Sequence, residues 1–219
     1  MHSTVQNLIN IDSEIKSSLK KLQIKKIPKI IAVSKTFKMD KIAPLIEYGH
    51  IDFGENKVQE AVDKWTAVKE KNKIIKLHMI GKLQTNKVKF AVKIFDYIHS
   101  VDSEKLAKKI ADEQNKINKK IKIFLQVNIG DENQKSGINK NDVYKLVSYC
   151  KKIDLDLIGL MCIPHANIHS EDYFKEMNKL KKTLNLTELS MGMSSDFLIA
   201  AKHFSTYVRV GSSIFGQRS

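Results

Sequence analysis

The residue with the best-defined setting for chemistry is Lys35. It follows Lys29-Ile30-Ile31-Ala32-Val33-Ser34, an apolar run that reads as a buried strand. A lysine delivered by the end of such a strand sits in a partly desolvated place. Desolvation disfavours the ammonium form, and a neutral amine can attack an aldehyde to give a Schiff base. The plainer alternative is a solvated lysine at a strand end, one of many in this chain. Two segments near the C-terminus offer a second kind of chemistry. Met191-Gly192-Met193-Ser194-Ser195-Asp196 and Val208-Arg209-Val210-Gly211-Ser212-Ser213 each run an apolar strand into a turn of small residues. Small residues let backbone N–H groups close on an anion, serine hydroxyls add donors, and a helix start adds its positive end. Singly, each reads as a capped turn; in tandem they read as a phosphate site.

Other motifs fall away on spacing. Gly211 to Gly216 is followed by Gln217-Arg218 rather than Lys-Ser/Thr, and Gly49 to Gly54 is followed by Glu55-Asn56, so neither is a P-loop. His165 and His169 are four apart with Glu171 nearby, but the His-Glu-x-x-His order of a zinc site is missing. Trp65 falls among Val58, Ala61 and Val62 at helical spacing and reads as core.

The elements that must position Lys35 and the two turns are legible as an alternation. Eight apolar runs appear: Lys29 to Val33, His50 to Phe53, Leu77 to Ile80, Tyr97 to Ser100, Ile121 to Asn128, Leu155 to Ile163, Glu188 to Met191 and Tyr207 to Val210. Helical patterns lie between them at about 39–48, 56–71, 84–95, 103–118, 139–152, 170–184 and 195–203. Before them, Val5, Leu8, Ile9, Ile11, Ile15, Leu19 and Leu22 give one apolar helical face over about residues 4–25. Continuous apolar strands alternating with helices predict a parallel sheet covered by helices. Eight units in a chain of 219 residues predict an α/β fold, a single (β/α)8 TIM-type barrel with an extra N-terminal helix. One domain over residues 1–219 is expected. Each apolar run ends in polar or glycine residues, as strand ends at the site-bearing face of such a barrel should.

Composition narrows the classes. No run of about 18 apolar residues occurs, which excludes a membrane-spanning helix of the usual kind. The start, Met1-His2-Ser3-Thr4-Val5-Gln6-Asn7, lacks a secretory pattern, and Cys150 and Cys162 have no metal or redox spacing; both point to a reducing cytoplasm. The net charge of +14 is almost all lysine, scattered, with no arginine-rich or aromatic-interleaved run. It reads as a solvated surface rather than a nucleic-acid site.

Several segments together resemble one family. They are Ile31-Ala32-Val33-Ser34-Lys35-Thr36, Asp52-Phe53-Gly54-Glu55-Asn56, His78-Met79-Ile80-Gly81-Lys82-Leu83-Gln84-Thr85-Asn86-Lys87, Gln126-Val127-Asn128, Lys135-Ser136-Gly137, Gly159-Leu160-Met161-Cys162-Ile163-Pro164, Leu189-Ser190-Met191-Gly192-Met193-Ser194 and Val208-Arg209-Val210-Gly211. In this order they resemble the pyridoxal phosphate homeostasis proteins, single-domain relatives of the alanine racemase N-terminal barrel. The resemblance implies that pyridoxal 5'-phosphate (PLP) is held as a Schiff base on Lys35. It implies Asn56 near the ring, Arg209 at the pyridine nitrogen, Ser194, Gly211 and Ser212 at the phosphate, and Ile80 and Met193 lining the pocket. Lys38 and Lys82 stand where the family often has proline, and Ser195 where it often has an acidic residue; the two lysines add positive charge at the mouth.

A cationic arginine at the pyridine nitrogen disfavours its protonation, which makes the ring a poor electron sink. A racemase also needs a second acid/base on the other substrate face; in the two-domain relatives the partner subunit's added domain supplies it, and no such domain follows the last barrel unit here. The expectation is therefore a monomeric cytoplasmic carrier in vitamin B6 homeostasis. It releases PLP to apoenzymes, has little or no turnover, and has no specific nucleic-acid or membrane partner. The alternatives are a PLP-dependent amino-acid racemase or lyase, an aldolase-like barrel using Lys35 without cofactor, and a nucleic-acid binder.

Overall fold

The computed structural model describes residues 1–130, 136–164 and 170–217. Its strands are β1 (Lys29–Val33), β2 (Asp52–Glu55), β3 (Lys76–Met79), β4 (Tyr97–Val101), β5 (Lys122–Asn128), β6 (Ile138–Asn139), β7 (Asp156–Met161), β8 (Glu188–Ser190) and β9 (Tyr207–Val210). Its helices are α1 (Ser3–Lys21), α2 (Met39–Glu47), α3 (Val58–Lys71), α4 (Val88–Ile94), α5 (Glu104–Lys116), α6 (Val143–Lys152), α7 (Ser170–Thr183), α8 (Phe197–Lys202) and α9 (Ser212–Phe215). Strand order is β4-β3-β2-β1-β9-β8-β7-β5, and pairing of β4 with β5 closes it into an eight-stranded barrel; β6 is a two-residue addition on the edge of β5. Every pairing is parallel. This is the (β/α)8 barrel expected from the alternation, and all strand C-termini open on one face.

Some predicted bounds move. The second strand starts at Asp52 rather than His50, and the third ends at Met79 rather than Ile80. The helix expected over 84–95 is a single 3-10 turn at Thr85–Lys87 followed by the seven-residue α4. The one expected over 139–152 likewise opens with a turn at Lys140–Asp142. Helix α1 stops at Lys21, so Leu22 leaves the predicted apolar face and is exposed. Val5, Leu8, Ile11, Ile15 and Leu19 do form that face, and it packs on α2, α8 and α9.

Two layers of core follow from the two-residue period of strand side chains. Outward-facing residues meet the helices in a large apolar layer that includes Phe53, Trp65, Leu125, Phe174 and Val208. Inward-facing Ile31, Tyr97, Phe124, Met161 and Tyr207 fill the barrel centre. Mixed with these are polar inward residues: Asp52, His78, His99, Ser190 and Arg209, all buried. Among the described residues no helix is long and apolar enough to cross a membrane, and no cluster of metal-ligating side chains occurs. His165, His169 and Lys135 lie outside the described residues.

Candidate functional site

A cleft of about 730 Å³ opens at the C-terminal face of the barrel. Its walls are the ends of β1, β2, β3, β7, β8 and β9, which bring together residues far apart in sequence. All eight residues expected at the site line it: Lys35, Asn56, Ile80, Met193, Ser194, Arg209, Gly211 and Ser212. Gly81, a strand-end glycine, also lines it, as do Phe37 and Gln217, which were not expected from the sequence. Lys38 and Lys82 are exposed and are not in the wall.

The backbone carrying Lys35 is bolted down on both sides. Ser34 Oγ donates to Glu55 Oε1 at 2.7 Å, and Lys64 Nζ donates to the Ser34 carbonyl at 3.0 Å. On the other side the Thr36 N–H donates to Glu60 Oε1 at 2.6 Å. Thr36 has φ of +68°, a left-handed conformation that costs a non-glycine residue about 1–2 kcal/mol, so the Glu60 bond holds a turn the chain would not adopt unaided. Lys64 ties the two carboxylates together, 3.0 Å from Glu55 and 2.9 Å from Glu60. Despite burial, Glu60 is held below the usual carboxylate range by the hydrogen bonds from Lys64 and Thr36. Trp65 is buried core as expected, but its indole N–H also donates to Glu55 Oε1 at 2.9 Å, so it braces the same frame. The spacing of Glu60 and Lys64, one turn apart on α3, is the only sequence signal that could have marked this frame.

Across the cleft the two turns meet. Ser194 Oγ accepts from the N–H groups of Gly211 and Ser213 at 3.3 and 3.5 Å. One oxygen therefore sits where two backbone donors converge, the arrangement that suits an oxyanion. In the other turn the Met193 N–H is taken by Asp196 Oδ1 at 2.6 Å, so it is not available to a ligand. Gly192, at φ +92°, lets the chain turn against α8; a Cβ there would lie 2.5 Å from the Ala200 side chain.

Arg209 is buried, and burial lowers its pKa, although a guanidinium remains a cation. Nη1 donates to Ser190 Oγ and Nη2 to the Cys162 carbonyl, each at 2.8 Å. Neither bond uses Nε, so that N–H is left as a donor for the cleft. Asn56 Oδ1 is buried without a hydrogen-bond partner, another polar atom of the cleft wall awaiting one. An amine, a fixed cationic donor and an oxyanion-type turn on three sides of one cleft fit a small ligand with an aldehyde, an aromatic ring with an acceptor, and a phosphate.

A closed parallel barrel with this site at its C-terminal face is of the alanine racemase N-terminal class, whose family model, "Alanine racemase, N-terminal domain", matches residues 7–219. Within that class, the chain belongs to the family of pyridoxal phosphate homeostasis proteins. It is 35% identical over 233 residues to the protein so named from Vibrio alginolyticus, covering 100% of this chain and 99% of that one. It is 34% identical over 225 residues to the one from Pasteurella multocida, covering 97% of each. The structure of PipY from Synechococcus elongatus PCC7942 with PLP bound superposes with a TM-score of 0.80 at 32% identity, over 92% of this chain and 100% of that one.

Proposed function

We propose that this protein binds PLP, holds it as a Schiff base on Lys35, and releases it to PLP-dependent apoenzymes, with little or no turnover of its own. The observation that carries this reading is the convergence of Lys35, Arg209 and the Ser194–Gly211 turn on one cleft of about 730 Å³, within the usual size of a cofactor site. The names of the relatives and the PLP in PipY support the choice of ligand.

Each residue then has a task. Lys35 Nζ, in its neutral form, forms a C–N bond to the aldehyde carbon, and the carbonyl oxygen leaves as water; addition of water reverses the step and frees the ligand. Ser194 Oγ and the Gly211 and Ser212 segment hold the phosphate. Ile80 and Met193 pack on the ring, and Asn56 reaches its edge. Arg209 Nε donates to the pyridine nitrogen. When bound, PLP supplies an electrophilic carbon and an electron-withdrawing ring. Arg209, as a cation, keeps a proton off that ring and so blunts its electron-withdrawing power. Among the described cleft residues, Lys35 and Arg209 are the ionisable side chains. Racemisation needs a second proton carrier besides the lysine, and arginine is a poor one. The same reading makes the protein a monomer acting in the cytoplasm, with its two buried cysteines unpaired.

Loaded protein, freed of excess PLP and mixed with a PLP-requiring apoenzyme, should restore that enzyme's activity while incubation with alanine or serine yields no racemised or cleaved product. Amino-acid turnover that disappears in Lys35→Ala would instead make it an enzyme.

A further inference from the structure

Behind Arg209 a line of hydrogen bonds runs through the barrel interior. Arg209 Nη1 donates to Ser190 Oγ at 2.8 Å, and Ser190 Oγ lies 2.8 Å from His99 Nδ1. His99 Nε2 lies 2.9 Å from His78 Nδ1, and His78 Nε2 lies 3.0 Å from Asp52 Oδ1. The five residues sit on β9, β8, β4, β3 and β2, and all are buried. None of the four behind Arg209 borders the cleft.

The chemistry of the two ends fixes the direction of every bond. A guanidinium only donates and an ionised carboxylate only accepts. Ser190 Oγ accepts from Arg209, and with neutral rings its own O–H points at His99 Nδ1. The His99 proton is then on Nε2 and goes to His78 Nδ1. The His78 proton is on Nε2 and goes to Asp52. Each imidazole uses one donor and one acceptor, and no ring nitrogen is left over. Burial supports neutral rings: it pushes His78 down, and His99 well down with help from the Arg209 charge. Asp52 stays ionised: burial would raise its pKa, but the His78 hydrogen bond and the neighbouring basic groups together hold it below the usual carboxylate range. The rings cannot swing, since His78 stacks on Tyr97 and His99 on Phe124, each at 4.2 Å between centroids.

We propose that Asp52, His78, His99 and Ser190 are positioning residues for the pyridine nitrogen of PLP: the line pins Arg209 through Nη1 and leaves Nε–H aimed at the ring. This rests on the PLP reading above. It makes the affinity for the ring nitrogen depend on residues that never touch the ligand.

The test compares PLP with 1-deaza-pyridoxal phosphate, which carries C–H in place of the ring nitrogen. Affinities are measured by absorbance titration for the unaltered protein, Ser190→Ala, Ser190→Thr and His99→Gln. A lost bond to a charged donor should weaken PLP about tenfold in Ser190→Ala and leave the deaza compound within about twofold. Ser190→Thr, which keeps the hydroxyl, should restore PLP binding. His99→Gln breaks the line one link deeper and should show the same selective loss, so it decides the matter if Ser190→Ala does not fold. Equal weakening of both ligands would reduce the line to a structural support, and no weakening of either would detach it from the site; both overturn the proposal. Failure of the unaltered protein to bind PLP overturns the functional reading itself.

Discussion

Gly81→Ala should destabilise the protein by about 3 kcal/mol, the upper end of the range for overpacking, and weaken PLP binding at the same time. A Cβ at Gly81 would lie 2.4 Å from the Asn56 carbonyl oxygen, 2.7 Å from its Cβ and 2.8 Å from its Cα. Two of these are backbone atoms, which cannot swing aside as the end of a flexible side chain could. The strand leading to Asn56 is held in register by the Glu55–Met79 pairing and by the Ile80 N–H to the Glu55 carbonyl at 2.9 Å. Relief must therefore come from displacing Asn56 at the cleft wall. Gly49→Ala is the matched control: its φ is +96°, but nothing lies within 4 Å of the added carbon, so only the backbone penalty of about 1–2 kcal/mol applies. Urea unfolding of both variants, with PLP titration of each, separates the two terms. A Gly81→Ala variant no less stable than Gly49→Ala would show that the approach of the two strand ends is looser than these distances.

Acid should destabilise the protein well before its carboxylates protonate. His78 and His99 are buried and His50 is half-buried, and desolvation pushes each below the usual histidine value. The unfolded chain takes up their protons as pH falls through about 6.5, while the folded protein resists. Their contribution is thus fully present above about pH 6.5 and is lost as pH falls below it. The slope is at most about 1.4 kcal/mol per pH unit for each histidine, or about 4 for the three together. Asp52 and Glu60 act in a lower window: each is held below the usual carboxylate range, so their contribution is present above about pH 4 and is lost as pH falls further. Denaturant midpoints measured from pH 8 to pH 4 should be level above pH 7 and drop steeply between about 6.5 and 5. A flat profile down to pH 5 would mean that these histidines titrate normally, and with it the neutral Asp52-to-Arg209 line would fail.

The barrel was legible because its strands are buried on both faces. Lys29–Val33, Lys122–Asn128 and Tyr207–Val210 are nearly continuous apolar runs, and their bounds match the sequence reading within a residue. Shorter strands were placed with shifted ends, since pairing partners and not composition decide where a four-residue strand stops. Strand β6, two residues held only by β5, has no sequence signal of its own. The cleft residues were legible through family motifs, Lys35 and the two turns also through local chemistry. The frame under Lys35 and the line behind Arg209 were not. Glu55, Glu60, Lys64, His78, His99 and Ser190 are ordinary polar residues until the barrel closes, and their partners come from other strands and helices. A polar residue at an inward position of an apolar strand, as at Asp52, His78, His99 and Ser190, is the pattern that foreshadows such a network.

The central claim is a Schiff base between PLP and Lys35, and an absorbance spectrum tests it most directly. Protein incubated with PLP and freed of excess should show a band near roughly 420 nm, as expected of an aldehyde–lysine imine, and Lys35→Ala treated alike should lack it. An unaltered band in Lys35→Ala, or no band in the unaltered protein, would contradict the account.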